Sequence, residues 1–244
     1  MPNDTGQVHP VAGVTTMGPS AKPRGFIDVG TDLVELIDRV TAQRRPGRRL
    51  LLGISGAPGA GKSTLADNLI SALGTDAIAL PMDGFHIATA ALPTRHHVDR
   101  RGAIDTFDVA GFLALTKRVR DDSEGVIYAP AFDRQIGEPI AGMIPILARH
   151  RVIIAEGNYL LSREAGWREV HALFDETWYL ELASEIRLSR LAARHIHFGK
   201  SPEAGWAMAS GSDEKNARQI AADRNTADLV IRLVSGAEVC REGP

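Results

Sequence analysis

The chain has 244 residues, a formal charge of −2 and one cysteine, Cys240. This charge provides no basic field that would favour nucleic acid or an anionic membrane as a partner. One cysteine excludes an internal disulfide, and no apolar run reaches the roughly 20 residues that span a bilayer, so the sequence predicts a soluble, cytoplasmic protein.

The N-terminal segment is rich in proline, glycine, serine and threonine, and it lacks the basic start and apolar stretch of a secretory signal. This composition predicts a flexible tail over residues 1–24. No linker-like composition divides the remainder, so residues 25–244 are expected to form one domain.

Apolar periodicity then predicts strands and helices in alternation. That alternation favours an α/β fold, with a parallel sheet and helices on both of its faces. The helix that starts at Ser184 has a good N-cap residue there. The predicted strands cover residues 48–55, 76–83, 125–134, 152–155, 176–182 and 227–233, and the predicted helices cover 31–44, 62–73, 108–122, 184–199 and two pieces within 201–225.

A glycine-rich turn joins the strand at 48–55 to the helix at 62–73, and it fits the phosphate-loop pattern G-x-x-x-x-G-K-[S/T]. Its glycines let successive backbone N–H groups surround a phosphate, towards which the helix directs its positive end. Lys62 can reach the β- and γ-phosphates, and the Ser63 hydroxyl can ligate Mg²⁺. The predicted nucleotide phosphate site consists of Gly56, Ala57, Pro58, Gly59, Ala60, Gly61, Lys62, Ser63 and Thr64.

A phosphate loop occurs in kinases, ATPase motors and GTPases. A GTPase would normally carry the guanine-reading motif N-K-x-D, which this sequence lacks. A motor would usually have an aspartate at the end of its second nucleotide strand, where this chain has Glu156. These two differences favour a kinase.

Two carboxylates lie at predicted strand ends, where open α/β sheets bind their ligands. Asp83 ends the strand at 76–83 and can accept the proton of an attacking hydroxyl. Glu156 follows the strand at 152–155 and can hold Mg²⁺. From spacing alone, Asp83 is equally well explained as a turn residue before a glycine. For Glu156, the magnesium role is favoured over a solvent-facing strand end.

Arg187, Arg190 and Arg194 are three and four residues apart, so they share one face of a predicted helix. Together with Lys200 they can close over the transferring phosphoryl group as a lid. An arginine run of this kind is more often a solvated helix face, and spacing alone does not decide between the two.

Several histidines raise the question of a structural metal. Their spacing matches no known zinc pattern, and histidines in loops are mostly solvated, so no such metal is expected. The residues concerned are His86, His96, His97, His195 and His197.

Seven segments resemble, in order, those of the phosphoribulokinase, uridine kinase and bacterial pantothenate kinase group of P-loop kinases: GISGAPGAGKST, MDGFH, RRGAIDTFDVAGF, YAPAFDRQIGEPIAG, VIIAEGNYLL, RLSRLAARHIHFGKSP and SDEKNARQI. The resemblance covers about residues 25–235 and is strongest to the nucleoside/nucleotide kinase-like branch that includes fructose transport system kinases. It implies a three-layer P-loop NTPase fold with a helical lid, and ATP with Mg²⁺ as phosphoryl donor. It also implies a hydroxyl of a small metabolite as acceptor, and it is compatible with a homodimer.

The same resemblance implies roles for individual residues. Asp83 matches the proposed catalytic base, and Glu156 matches the strand-end glutamate that joins Ser63 at Mg²⁺. Asn216 and Arg224 lie where related kinases shape the adenine pocket. The implied catalytic set is Lys62, Asp83, Arg190 and Arg194, with Arg187, Asn216 and Arg224 added on the ATP side.

The acceptor side departs from the relatives. Asp83-Gly84-Phe85 is closer to pantothenate kinases than to uridine kinases, but Phe132-Asp133-Arg134 replaces the substrate-binding tyrosine and histidine of both. Asp133 and Arg134 form a different polar pair, which suits a hydroxyl-rich or anionic acceptor. A uridine or pantothenate kinase proper, and a regulatory protein that binds ATP without transferring phosphate, remain alternatives. The predicted acceptor-binding set is Asp83, His86, Asp133 and Arg134.

Overall fold

The protein is represented by a computed structural model that describes residues 25–29, 33–92, 100–121 and 125–233. The predicted tail, His96 and His97 lie outside the described residues, so the tail and the single domain stay predictions. Within these ranges, no helix is long and apolar enough to cross a membrane.

The strands and helices follow the predicted alternation closely. The strands are β1 (Gly25–Val29), β2 (Leu50–Gly56), β3 (Ala77–Pro81), β4 (Val126–Asp133), β5 (Glu138–Leu147), β6 (Val152–Glu156), β7 (Glu176–Glu181) and β8 (Leu229–Leu233). The helices are α1 (Val34–Ala42), α2 (Lys62–Leu73), α3 (Val109–Asp121), α4 (Trp167–His171), α5 (Ser184–His197), α6 (Pro202–Met208) and α7 (Glu214–Ala222).

Six strands form one parallel sheet in the order β1-β8-β7-β2-β6-β3. Successive residues of β2 enter different hydrophobic clusters on the two faces of this sheet. Leu51 packs with Phe112 of α3 on one face, whereas Leu52 packs with Leu36 of α1 and Leu65 of α2 on the other. The predicted three-layer α/β fold with a parallel sheet is therefore confirmed.

The strand predicted at 125–134 does not join this sheet. It is β4, which pairs antiparallel with β5 in a separate hairpin. Its exposed Val126 and Tyr128 alternate with buried residues, whereas strands of the parallel sheet are buried on both faces. β5 escaped prediction because Pro139, Gly142 and Pro145 interrupt its pattern.

Three further features differ from the predictions: the strand β1, the end of β3 and the N-cap of α5. β1 is a short edge strand with an exposed Phe26, and its sequence gave no strand signal. β3 ends at Pro81, and Asp83 lies in the 3₁₀ turn that follows. Ser184 is the first helical residue of α5, so the N-cap is Ala183, which has no side chain to cap the helix.

Helices α5, α6 and α7 follow β7 and form the helical lid. The turn between α5 and α6 contains Ser201, whose hydroxyl accepts a hydrogen bond from the Ala204 N–H and so caps α6. A π-helical turn, Ala209–Asp213, then leads into α7. On the inner side, α5 packs against the phosphate loop at Gly59.

Candidate active site

The strand register brings the predicted site residues to one edge of the sheet. Ile54 of β2 and Pro81 of β3 both pair with Glu156 of β6. Glu156 therefore lies between the start of the phosphate loop and the turn that carries Asp83. This is the carboxyl edge of the sheet, where open α/β folds bind their ligands.

The phosphate loop needs glycine at two positions. Gly59 and Gly61 have φ angles of 80° and 96°, which L residues with a side chain rarely adopt. A Cβ on Gly59 would also stand 2.8 Å from Leu191 Cγ and 2.9 Å from the Arg187 carbonyl oxygen. Gly59 thus allows the lid helix α5 to pack directly on the loop.

Lys62 is buried at the start of α2, and its ammonium group lies inside the loop. Its Nζ donates hydrogen bonds to the carbonyl oxygens of Gly56 at 2.9 Å and Ala57 at 3.2 Å, and to Asn158 Oδ1 at 2.7 Å. Burial lowers the pKa of Lys62 to about 8, although the charges of Glu156 and Asp83 oppose that shift. Asn158 was missed by the sequence analysis, although it lies two residues after Glu156 in the segment EGNY.

Glu156 is buried beside Lys62, and burial raises the pKa of its carboxyl to about 7. The nearby Asp83 charge raises it further, while Lys62 and a hydrogen bond from Ser63 act in the opposite direction. Within the described residues, no group of three or more His, Cys, Asp or Glu side chains is placed to hold a metal ion. The Glu156 carboxylate and Ser63 hydroxyl are hard oxygen donors, which fits a Mg²⁺ ion completed by phosphate oxygens and water.

Asp83 faces the hairpin formed by β4 and β5. Its Oδ2 lies 4.0 Å from Nη2 of Arg134, at the tip of that hairpin. Asp133 is placed differently, because its Oδ1 accepts hydrogen bonds from the N–H groups of Gln135 at 2.8 Å and Ile136 at 2.9 Å. The structure therefore brings Arg134 to the site and uses the Asp133 carboxylate to shape the hairpin turn.

His86 lies beside Asp83 in the same turn. Its Nδ1 donates a hydrogen bond to the Asp83 carbonyl oxygen at 2.8 Å, which leaves Nε2 as the acceptor of the neutral ring. The ring packs against Phe107 and Phe132, with centroids 4.1 and 4.9 Å away. Burial lowers the pKa of His86, so the ring is neutral at physiological pH.

The three lid arginines share a helix face but have different surroundings. Arg187 is buried, donates to the Pro58 carbonyl oxygen at 3.4 Å and pairs with Glu214 of α7. Arg190 is exposed, with Nη1 3.6 Å from the point where a Cβ on Gly61 would stand. Arg187 therefore fastens the lid to the loop, and Arg190 borders the loop from outside.

Arg194 is the lid arginine on which the charges of Asp83 and Glu156 act. Its guanidinium is partly buried, and this burial lowers its pKa. The charge of Arg134 lowers this pKa further, whereas the charges of Asp213, Asp83 and Glu156 raise it. Arg194 therefore lies close enough to Asp83 and Glu156 for their charges to act on it, and its role at a phosphoryl group stays a prediction.

The two residues assigned to the adenine pocket make other contacts in the described part of the chain. Asn216 Nδ2 donates to the Gly102 carbonyl oxygen at 3.4 Å. Arg224 donates to Glu181 Oε2 at 3.1 Å, with its guanidinium carbon 5.5 Å from the centre of the Phe26 ring. Their contact with adenine stays a prediction.

Arg101 contacts the hairpin that carries Arg134, and the sequence analysis did not single it out. It forms an ion pair with Glu138 of the hairpin at 2.9 Å and donates to Thr89 Oγ1 at 2.8 Å and the Gly137 carbonyl oxygen at 2.6 Å. Its guanidinium carbon also lies 5.2 Å from the centre of the Phe132 ring. Arg101 therefore fastens the hairpin to the 3₁₀ turn Thr89–Ala91, which follows the turn that carries Asp83 and His86.

We expect kcat/KM for ATP to show a bell-shaped pH profile. Lys62 holds phosphate only when protonated, so the rate should fall as the pH rises through about 8, the pKa that burial gives it in the free protein. Glu156 holds a cation only when ionised, so the rate should also fall below about pH 7. Steady-state kinetics across both limbs measures the profile.

His86→Gln is the control for that profile. Because the pKa of His86 is lowered by burial, removing the imidazole should leave the acid limb near pH 7 in place. A flat profile between about pH 6 and about pH 9 would contradict the assignment of Lys62 and Glu156.

No family model matches this chain. It is 34% identical over 174 residues to the "Putative uridine kinase" of Schizosaccharomyces pombe, which covers 68% of this chain and 74% of that protein. It is 36% identical over 129 residues to the ATP-dependent kinase-like protein notR' of Aspergillus versicolor, which covers 50% of this chain and 75% of that protein.

A solved structure agrees with these relatives. The crystal structure of a "putative fructose transport system kinase" from Silicibacter sp. TM1040 superposes with a TM-score of 0.75 and 39% identity, over 82% of this chain and 98% of that one. The relatives, the parallel sheet and the phosphate loop all indicate a P-loop kinase. This chain belongs to the uridine kinase-like family of P-loop kinases.

Proposed function

We propose that this protein transfers the γ-phosphoryl group of ATP to a hydroxyl group of a small metabolite. The observation that carries the proposal is the convergence of four charged groups at one edge of the sheet. The pKa values of Lys62, Glu156 and Arg194 all respond to the charge of Asp83, so the four groups lie close together. A protein that only sensed ATP would need the phosphate loop but not the other three.

The phosphate loop and Lys62 would hold the β- and γ-phosphates of ATP. Ser63 and Glu156 would hold Mg²⁺, which neutralises phosphate charge when it is bound. Closure of α5 over the loop would exclude water, so that the phosphoryl group passes to the acceptor and not to solvent.

Asp83 would orient the acceptor hydroxyl and take its proton. The acceptor oxygen bonds to the γ-phosphorus as the bond from that phosphorus to the β–γ bridging oxygen breaks, and ADP leaves. The hydroxyl proton passes to the Asp83 carboxylate. Arg194 would stabilise the negative charge on the γ-phosphoryl oxygens during this step.

Arg134 and the neutral His86 would bind the remainder of the acceptor. Arg134 offers a planar group of donors that suits a carboxylate, a phosphate or vicinal hydroxyls. His86 Nε2 offers a hydrogen-bond acceptor beside it. The combination of Arg134 and His86 favours a hydroxyl-rich or anionic acceptor over one that offers only an uncharged nucleobase for binding.

Replacing Arg134 with alanine should raise KM for the acceptor by about 10- to 100-fold, because a charge-assisted hydrogen bond is lost. KM for ATP should change by less than about twofold, since the phosphate loop is untouched. Steady-state kinetics with each substrate varied in turn measures both values.

Asp133→Ala provides the comparison for Arg134→Ala. It should also raise KM for the acceptor more than KM for ATP, through the hairpin turn that positions Arg134. Equal effects of Arg134→Ala on KM for the acceptor and KM for ATP would contradict the assignment of Arg134 to the acceptor site.

A screen for ADP release tests the proposed function itself. Purified protein with Mg-ATP would be assayed against nucleosides, pantothenate, fructose, other sugars and hydroxy acids, with Lys62→Ala as the control. One acceptor with strong turnover that Lys62→Ala abolishes supports the kinase and identifies its substrate. Tight ATP binding without phosphorylation of any panel member, or of any component of a metabolite extract, would favour the ATP-sensing alternative.

A further inference from the structure

Asn158 contacts the lysine of the phosphate loop but has no part in the phosphoryl transfer proposed above. Its Oδ1 accepts the shortest of the three hydrogen bonds that Lys62 donates, at 2.7 Å, against 2.9 Å to the Gly56 carbonyl oxygen and 3.2 Å to that of Ala57. An ammonium group has three N–H donors, so these contacts use all of them. A phosphate oxygen that binds Lys62 must therefore replace one of the three acceptors.

Asn158 is the acceptor that can move aside. Gly56 is held by its pairing with Leu180 of β7, and the Ala57 carbonyl oxygen also accepts a hydrogen bond from the Ala60 N–H at 3.1 Å. Both of these carbonyl groups therefore belong to fixed backbone. The Asn158 amide lies at the end of a partly exposed side chain, which can rotate.

The backbone at Asn158 is fixed, so the amide stays in the site when the side chain rotates. The Gly157 N–H donates to the Ile54 carbonyl oxygen at 3.0 Å, and Ser55 Oγ donates to the Asn158 carbonyl oxygen at 2.9 Å. The next residue, Tyr159, is buried. A rotation about the side-chain bonds therefore redirects the amide without withdrawing it.

Asn158 also lies on the side of Lys62 that faces the proposed base. Gly157 packs so closely against Met82 that a Cβ on this glycine would stand 2.4 Å from Met82 Cβ, and Met82 directly precedes Asp83 in its 3₁₀ turn. The γ-phosphate must lie between the lysine and the base, because the acceptor hydroxyl attacks its phosphorus there. The Asn158 amide is consequently placed beside the γ-phosphate, and the loop amides remain for the β-phosphate.

The orientation of the Asn158 amide follows from its contact with Lys62. An ammonium group only donates, so the amide atom that faces it is the oxygen, and the nitrogen Nδ2 is on the other branch. Among the residues that the structure describes, none accepts a hydrogen bond from Nδ2. Its two N–H groups are thus available to phosphate oxygens, which are charged acceptors.

We propose that Asn158 recognises the γ-phosphate of ATP. Its oxygen holds Lys62 in the protein without nucleotide. When ATP binds, a phosphate oxygen replaces that oxygen on Lys62, and the Asn158 amide N–H donates to the γ-phosphoryl group. ADP has no γ-phosphate and cannot make this contact, so Asn158 gives the site a preference for the triphosphate. This inference rests on the proposed function, which makes ATP the ligand of the loop.

Isothermal titration calorimetry on the full chain tests this proposal without an acceptor. The probes are ADP and an ATP analogue with an imido group between the β- and γ-phosphates, each with saturating Mg²⁺, and the measured quantity is the ratio of Kd for ADP to Kd for the analogue. Asn158→Ala removes the whole amide, whereas Asn158→Asp keeps the shape and an oxygen for Lys62 but has no N–H donor. Asn68→Ala, which changes another partly buried asparagine in α2, is the matched control.

The ratio should be the same in the wild type and Asn68→Ala, and both Asn158 variants should lower it by about tenfold or more. An effect that acts only through Lys62 would change both affinities, because both nucleotides have a β-phosphate, and would leave the ratio near its wild-type value. A ratio within about twofold of wild type in either Asn158 variant therefore overturns the proposal. A wild type that binds neither nucleotide would contradict the proposed function itself, whereas absence of turnover in the acceptor screen does not affect this binding assay.

Discussion

Asp83→Asn should lower kcat by about 10²- to 10⁴-fold, the usual contribution of a positioned general base. Asparagine keeps the shape of the side chain in the turn after β3 but cannot take the proton of the acceptor hydroxyl. KM for ATP should stay within about twofold of the wild-type value, because Lys62 and the loop amides would still hold the phosphates. Steady-state kinetics with the acceptor found in the screen measures both parameters.

The substitution also removes a charge opposite Arg134, 4.0 Å from the carboxylate. An effect through Arg134 would appear in KM for the acceptor, whereas loss of the base would appear in kcat, so the two parameters separate these causes. Asp108→Asn is the matched control: Asp108 Oδ1 accepts a hydrogen bond from the Gly111 N–H at the start of α3, and asparagine can do the same. A wild-type kcat in Asp83→Asn would exclude this residue as the base.

Residues that depend on local pattern were predictable from the sequence. The phosphate loop has a fixed spacing between a strand and a helix, and Glu156 ends a strand whose residues are all buried. In a parallel sheet those two facts place Glu156 beside the loop, because strand ends meet at one edge. The register of β2 and β6 agrees with that inference.

Residues that act through distant contacts were not predictable in this way. Asn158 binds Lys62 across 96 positions of sequence, and Arg101 binds Glu138 across 37. Neither pair has a spacing that a helix or strand would impose, so a single sequence contains no signal for it. The same reason explains Asp133, whose carboxylate is used by a hairpin turn that could not be recognised until β5 was known.

The lid arginines show that helical periodicity predicts which residues share a face but not which of them are buried. Their spacing correctly placed Arg187, Arg190 and Arg194 on one face of α5. A face does not determine burial, because burial depends on what packs against each residue of the helix. Arg187 is consequently enclosed between Pro58 and Glu214, and only the fold distinguishes it from the other two.

Among the lid arginines, we expect removal of Arg194 to lower kcat most. Arg194→Ala should lower kcat by about 10³- to 10⁵-fold, the range known for arginines that stabilise phosphoryl transfer. Arg194 is partly buried and lies within reach of the charges of Asp83 and Glu156, so water cannot replace it efficiently. Arg190→Ala should also lower kcat, but less, because its exposed guanidinium is screened by solvent.

Two comparisons separate a catalytic role of Arg194 from a structural one. Arg187→Ala leaves Glu214 without this partner and should lower the thermal unfolding midpoint, whereas Arg194→Ala should leave it nearly unchanged. Arg194→Lys keeps the charge but loses the planar group of donors, so it should recover only part of the lost kcat. Full recovery would mean that charge alone suffices at this position, and an undiminished kcat in Arg194→Ala would mean that phosphoryl transfer here proceeds without it.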